Sequence, residues 1–220
     1  MTLTQFGIKF FVGYIMKDMI EGFFRFHRDV YPTHRDLFRR LAKEQNPGTL
    51  FICCSDSRMI PELITQCEPG DLFVIRNAGN IIPSFGPDPG GVTATVEYAI
   101  SVLGVRDLIV CGHSDCGAMK AIATNISLEG MPAVRNWLQY ADAAKLVSSA
   151  KRHCSVDAHV DSMVRENVIA QINNVRTHPS VALGLTQSRL NLHGWIYDIE
   201  SGSLEVLDHE SSTFSPVLDS

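Results

Sequence analysis

Thr49-Leu50-Phe51-Ile52-Cys53-Cys54-Ser55-Asp56-Ser57-Arg58 decides how this chain reads. The apolar run from Thr49 to Cys53 predicts a buried strand, so Cys54 stands where that strand stops. Open α/β sheets place their chemistry at the carboxyl ends of strands. A second apolar run, Leu108-Ile109-Val110-Cys111, ends in Gly112-His113-Ser114-Asp115-Cys116-Gly117. Two strand ends thus carry three good zinc ligands: Cys54, His113 and Cys116. Three protein ligands with a fourth position left open is the pattern of catalytic zinc, whereas structural sites close with four. The expectation is a zinc ion that activates a water.

Composition agrees with that frame. A chain of 220 residues that is 45% hydrophobic fits one α/β domain with a real core. A net charge of -5 leaves no basic footprint, so a nucleic-acid partner is not expected. Six cysteines without the regular spacing of a small secreted domain point to a reducing compartment, with thiols free to bind metal. The apolar stretch Phe6 to Ile15 contains Lys9 and is too short to span a bilayer. It lacks a charged leader and a small-residue cleavage site. Residues 1–15 are therefore read as an extension, 16–210 as a single zinc domain and 211–220 as a tail. The expected location is the cytoplasm, with no membrane partner.

Outward from the first strand, Met16 to Val30 carries Met19, Ile20, Phe23, Phe24 and Phe26 near a helical period. Such a helix either docks on its own domain or packs on a second subunit; the sequence admits both. Pro32 ends it, and Thr33-His34-Arg35-Asp36 opens a second helix running to about Gln45. Asn46-Pro47-Gly48 turns into the first strand. Pro61 suits the first position of a short helix through Gln66. A second strand, Leu72-Phe73-Val74-Ile75, ends in Arg76-Asn77-Ala78-Gly79-Asn80. The Pro- and Gly-rich segment from Pro83 to Gly91 reads as a loop and a candidate active-site wall. Helices are expected over Val92 to Leu103, with Gly104 as cap, and over Ala118 to Thr124, Pro132 to Ala150 and Asp157 to Val175, the last ended by Pro179. Asn191 to Ile199 and Leu204 to Asp208 flank a hairpin turn. The last dozen residues are polar and expected to be mobile. Strands alternating with helices predict a mostly parallel sheet flanked by helices, with an antiparallel edge strand and an N-terminal helical arm.

Cys54, His113 and Cys116 have a bland reading as core thiols and a turn histidine. Against it stand their convergence on two strand ends and the two-residue gap between His113 and Cys116. Cys116 also opens a helix, whose dipole favours the thiolate that binds metal. Cys53 neighbours Cys54, points to the opposite face and is left out. Cys67, Cys111 and Cys154 have no ligand-like partner and default to free or buried thiols. Two thiolates and a neutral imidazole cancel the charge of Zn²⁺, which puts the pKa of its water above the value of about 7 typical of three-histidine centres. Asp56 can accept a hydrogen bond from that water and Arg58 can hold Asp56 ionised. The pair can equally be a structural salt bridge, or Asp56 can fill the open position and switch the site off.

These motifs, Cys54-Ser55-Asp56-Ser57-Arg58, Arg76-Asn77-Ala78-Gly79-Asn80 and Gly112-His113-Ser114-Asp115-Cys116-Gly117, resemble those of the β-class carbonic anhydrases. The branch most similar is the bacterial one associated with cyanate breakdown. That likeness extends through Pro132-Ala133-Val134, Met163-Val164-Arg165-Glu166-Asn167-Val168-Ile169-Ala170-Gln171 and the stretch His193 to Ser203. The resemblance implies reversible hydration of CO₂ to bicarbonate and a proton. Its ligands would be Cys54, His113 and Cys116, and its catalytic dyad Asp56 and Arg58. It also implies self-association as a dimer, tetramer or larger, through the N-terminal helix and sheet edge. Gln45, Phe73 and Tyr98 match residues that line the CO₂ pocket in one subtype, often across the dimer interface. A second subtype holds inhibitory bicarbonate with a tryptophan, an arginine and a tyrosine; Arg76 and Tyr197 match two of these, but Phe51 stands in the tryptophan's place. The implied site is open to water, with weak or absent bicarbonate inhibition. Rival readings are hydrolysis of carbon disulfide or carbonyl sulfide, and a noncatalytic zinc or redox-sensing protein with a four-ligand centre.

Overall fold

The structure, a computed structural model, describes residues 14–87 and 90–218. The expected N-terminal extension, residues 1–15, lies outside the described residues except for its last two. After Gln45 the chain divides into two compact units.

The first unit holds α1 (Tyr14–Arg25) and α2 (Arg35–Leu41). Between them run a π-helical turn, Phe26–Val30, and a tight turn, Tyr31–His34. The predicted first helix therefore loosens before Val30, because Pro32 lacks an amide hydrogen and clashes with a regular α-helical turn ahead of it. Tyr31 stacks on Phe38 at 5.5 Å, and Phe26 meets Phe38 edge-on at 6.1 Å. On α1, Met19 and Phe23 are 65% and 59% exposed.

The second unit is built on a sheet of β1 (Thr49–Cys54), β2 (Leu72–Asn77), β3 (Asp107–His113), β4 (Asn191–Tyr197), β5 (Leu204–Asp208) and β6 (Thr213–Pro216). Their order is β2-β1-β3-β4-β5-β6; the first four run parallel and the last two antiparallel. Its helices are α3 (Pro61–Thr65), α4 (Gly91–Ser101), α5 (Gly117–Ala123), α6 (Pro132–Leu138), α7 (Asp142–Ser149), α8 (Val156–Arg176) and α9 (Pro179–Thr186). The expected α/β architecture is what forms.

Alternation along β1 divides the interior. Leu50, Ile52 and Cys54 face a large core shared with residues of α4 to α9. Phe51 and Cys53 face a smaller cluster with Ile109 and Cys111. The long helix α8 lies directly against β3 and β4 because both strands carry a glycine beneath it. A Cβ on Gly112 would meet Val168 Cγ2 at 2.8 Å and Val164 Cγ1 at 3.0 Å, and one on Gly194 would meet Leu207 at 3.0 Å and Val168 at 3.1 Å.

Three expectations need correction. The helix predicted over Pro132 to Ala150 breaks at Gln139–Ala141, where the Tyr140 carbonyl turns aside to accept Gln171 Nε2 at 3.3 Å. Pro179 not only ends α8 but opens α9 at a first-turn position where its missing donor costs nothing. The polar C-terminal stretch contains β6, paired with β5, and Arg165 of α8 covers the Phe214 ring there at 5.6 Å. The described start of the Pro-rich loop lies along the end of α8. Pro83 and Phe85 are tied to His178 Nε2 (2.9 Å) and Thr177 Oγ1 (2.8 Å). Ten residues of α8 separate Thr177 from the level of Asn167, about 15 Å of helix.

Two outcomes follow from this packing. Gly112→Ala should lower the urea unfolding free energy by about 1–3 kcal/mol through overpacking, while Gly48→Ala, with nothing within 4 Å of the new Cβ, should change it little. Arg165 donates to both Glu205 oxygens (2.9 and 2.8 Å) and so holds that carboxyl below the usual glutamate range. A lowered folded-state pKa stabilises the fold above the unfolded value of about 4.3 and ceases to do so as pH falls through the folded value. Urea unfolding free energies of wild type and Glu205→Gln should therefore differ at pH 7, by on the order of 1 kcal/mol at this partly exposed site, and converge on acidification.

Candidate metal centre

At the carboxyl ends of β1 and β3, Cys54 Sγ, a His113 ring nitrogen and Cys116 Sγ all lie within 4.8 Å of one another, and all three residues are buried. Strict alternation gives His113 the parity of Cys111, on the opposite face from Cys54. The two nonetheless meet because β1 and β3 pair only as far as Cys53↔Cys111. Beyond that point the two strands no longer pair with each other, while Cys54 still pairs with Asn77 of β2 and His113 with Tyr197 of β4. Asp115 then adopts a left-handed conformation (φ 51°), which an aspartate tolerates and which returns the chain so that Cys116 faces His113.

Each donor is prepared. The Ser114 carbonyl, which can only accept, lies 2.9 Å from His113 Nδ1. The proton therefore belongs on Nδ1, leaving the lone pair on Nε2, and Nε2 is buried without a hydrogen-bond partner. A buried, unpartnered imidazole nitrogen beside two sulfurs is what a metal would satisfy. Hydrogen bonding from Cys116 draws the Cys54 thiol down toward thiolate, aided by His113 and by the backbone N–H groups of Gly79 and Asp56, each 3.4 Å from Sγ. The same contact and burial push Cys116 up, since two sulfurs 4.0 Å apart cannot both ionise without a cation. Two thiolates and one imidazole suit zinc.

Asp56 overhangs the triad, its Oδ2 3.9 Å from His113 Nε2. Arg58 latches it: Nε donates to Oδ1 at 2.9 Å, Nη2 to Oδ2 at 2.8 Å, and the Arg58 backbone N–H to Oδ1 at 3.0 Å. That guanidinium holds the Asp56 carboxyl far below the usual aspartate range. Arg58 is gripped in turn by Asp115, through Oδ2 (3.5 Å) and its carbonyl (3.3 Å), and Asp115 by Lys120 (3.1 Å). The sequence reading did not anticipate this Lys120–Asp115 clamp. It also gave Arg76 no structural duty, yet Arg76 donates to the carbonyls of Cys54 (3.2 Å) and Asp56 (2.7 Å) and so fixes the ligand-bearing turn.

Phe73 and Tyr98 come together with ring centroids 6.0 Å apart. They meet far from the triad, because Phe73 pairs with Leu50 while Asn77 pairs with Cys54; four strand residues span about 13 Å. Gln45 is exposed and belongs to the first unit. Cys53, raised to about 12 by burial, and Cys111, raised further, lie in the smaller cluster away from the triad. Cys67 and Cys154 are unpaired thiols.

Comparison with known proteins bears on this geometry. The family model described as carbonic anhydrase matches residues 49–204. A carbonic anhydrase of Pseudomonas aeruginosa is 61% identical over 199 residues, 90% of each chain. Among solved structures, the β-carbonic anhydrase CcaA superposes with a TM-score of 0.88 at 42% identity, over 94% of both chains. A structure from a study of two tetrameric β-carbonic anhydrases of Sordaria macrospora gives 0.71 at 27% identity, over 88% of this chain and 94% of that one.

Replacing Cys54, His113 or Cys116 by alanine should abolish stoichiometric zinc while leaving a folded chain, because metal affinity here comes from three donors acting together. Metal analysis after gel filtration reads this directly. Zinc retained at full occupancy by any of the three variants would remove that residue from the ligand set.

Proposed function

Since this chain belongs to the carbonic anhydrase family, and to its β class, we propose how its own residues carry out the reversible hydration of carbon dioxide. The observation that carries this reading is the buried Cys54, His113 and Cys116 triangle, with a free imidazole nitrogen, lying under a carboxylate latched by arginine. Cys54, His113 and Cys116 would hold the zinc this class uses. When bound, zinc supplies Lewis acidity that makes water acidic enough to attack near neutral pH. Among the described residues the cluster has three protein ligands, which supports an open catalytic centre over a closed structural or redox-sensing one.

Asp56 accepts a hydrogen bond from the attacking water and so directs its lone pair at the substrate carbon. Arg58 keeps Asp56 ionised and occupies both of its oxygens, so that the carboxylate does not compete for the metal. Phe73 and Tyr98 form the apolar wall that suits carbon dioxide, and Gln45 donates to the oxygen that gains charge during attack. The roughly 13 Å of strand between Phe73 and Asn77 supports a wall that serves the triad of a second copy. Self-association as a dimer, or as a tetramer or larger assembly, agrees with the exposed Met19 and Phe23 of α1 and with the tetrameric relatives of Sordaria macrospora.

Three finer assignments complete the proposal. Residues 16–210 act as one zinc domain after an extension, 1–15, and β6 joins the segment expected as a tail, 211–220, to its sheet. The protein works in the cytoplasm, a reading supported by six cysteines that are all free; no described helix is long and apolar enough to cross a membrane. It belongs beside the bacterial enzymes associated with cyanate breakdown, as the segments Pro132-Ala133-Val134 and Met163 to Gln171 indicate. Inhibition by bicarbonate is weak, because Phe51 packs edge-on against Trp195 at 5.8 Å and Arg76 is engaged with backbone carbonyls.

Stopped-flow hydration assays test the dyad. Asp56→Asn should keep full zinc but lose about 10²-fold in kcat, with the metal content measured on the same sample. Unchanged turnover would reduce Asp56 to scaffold. A wild type that hydrates carbon dioxide at full rate without bound metal would end the whole reading.

A further inference from the structure

The segment after β2 opens with a single 3₁₀ turn, Ala78–Asn80, and its other peptide groups are held by side chains. Asn77 closes it locally, accepting from Ile81 N–H (2.8 Å) and donating to the Ile81 carbonyl (2.9 Å). Trp137 Nε1 donates to the Ala78 carbonyl at 2.8 Å. The rest comes from one face of α8. Asn167 Nδ2 donates to the Gly79 carbonyl (2.9 Å), Gln171 Oε1 accepts from Ile82 N–H (2.8 Å), and Asn174 Nδ2 donates to the Ile82 carbonyl (2.9 Å). Positions 167, 171 and 174 follow the helical period, so one stripe of amides meets one strap of chain. The amides also join each other, Gln171 Nε2 to Asn167 Oδ1 at 2.9 Å and Asn174 Nδ2 to Gln171 Oε1 at 3.1 Å.

Asn167 and Gln171 are 1% and 0% exposed. Buried amides in a fully joined network are expensive to disturb, and by themselves they would serve only to stabilise the fold. What singles out Asn167 is the residue whose carbonyl it holds, because the N–H of that same residue, on the preceding peptide group whose Ala78 carbonyl Trp137 holds, reaches the metal centre. Gly79 donates its N–H to Cys54 Sγ at 3.4 Å. Gly79 has φ +80°, and a Cβ there would meet Met119 Cε at 2.9 Å and Ala118 Cβ at 3.1 Å. Its backbone is thus pressed between α5 and the sulfur in a conformation that suits glycine.

We propose that Asn167 is a positioning residue for the metal centre, holding Gly79 so that its amide stays aimed at the sulfur of Cys54. The inference rests on the zinc reading above. An N–H donor draws electron density from a thiolate and fixes where its remaining lone pairs point. Groups that orient metal ligands in this way typically change metal affinity by 10–100-fold when removed. The motif Met163 to Gln171 thereby acquires a reason to accompany Arg76 to Asn80: its asparagine reaches the glycine of the other.

The test uses zinc-loaded full-length protein and three forms: wild type, Asn167→Leu, which keeps the branched shape but cannot hydrogen-bond, and Asn174→Ala, which disturbs the same network without touching Gly79. Zinc transfer to a chromophoric chelator should quicken about 10–100-fold in Asn167→Leu and stay near wild type in Asn174→Ala. In the cobalt-substituted proteins the sulfur-to-cobalt charge-transfer band should move to lower energy in Asn167→Leu alone. Equal release rates and unshifted spectra in all three, or the same change in both variants, would overturn the proposal and leave the zinc reading intact. A wild type that takes up no zinc would take both down. Should Asn167→Leu fail to fold, cadmium-113-substituted wild type decides. Scalar couplings are expected from the metal to the Gly79 amide proton and from the Asn167 side-chain nitrogen to the Gly79 carbonyl carbon, and the absence of either refutes it.

Discussion

Two cysteine sulfurs buried 4.0 Å apart impose the constraint on which this structure turns. In an apolar interior a single thiolate is already costly, and a second beside it is prohibitive unless a cation lies between them. A doubly charged ion with one neutral imidazole removes that conflict. His113 meets the requirement because its Nδ1 proton is committed to the Ser114 carbonyl. The sulfurs, the imidazole and the turn that presents them therefore form one electrostatic problem with one good solution.

The surrounding structure keeps that solution in place without relying on the metal alone. Arg76 binds the carbonyls on either side of Ser55, and the Lys120–Asp115–Arg58 chain restrains Asp56. These contacts reach the site from β2, from the turn after β3 and from α5, elements brought together by the parallel pairing of β1 with both neighbours. The amide stripe of α8 does the same from the opposite side. Gly112 and Gly194 are what let α8 come near enough, so packing beneath a helix bears on the geometry of a sulfur. A site of three ligands is thus supported by at least as many residues that touch no substrate.

Much of this was legible along the chain. Apolar runs of strand length gave β1, β2 and β3, and the hairpin before Leu204 gave β4 and β5. The ligand set could be read because Cys54 and His113 stand at strand ends, with Cys116 three residues further on, where open α/β sheets place their chemistry. What could not be read were features set by distant partners. The break at Gln139–Ala141 depends on Gln171, thirty-one residues from Tyr140 in sequence. The strand β6 depends on β5 and on Arg165 beneath Phe214. The course of the Pro-rich loop was not legible either, because only the tertiary fold lays Pro83 and Phe85 along α8.

The sequence by itself determined the chemistry: the donor types, their order along the chain, the carboxylate and guanidinium beside them, and the alternation that excludes Cys53. Those properties are local, fixed by residue identity and by the period of a strand. Convergence was decided only in three dimensions. Alternation assigns His113 and Cys54 to opposite faces, and they share a site because the two strands end together and the left-handed Asp115 turns the chain back. Register between strands far apart in sequence is set by the packing of the whole sheet against its helices, which no short stretch of residues encodes.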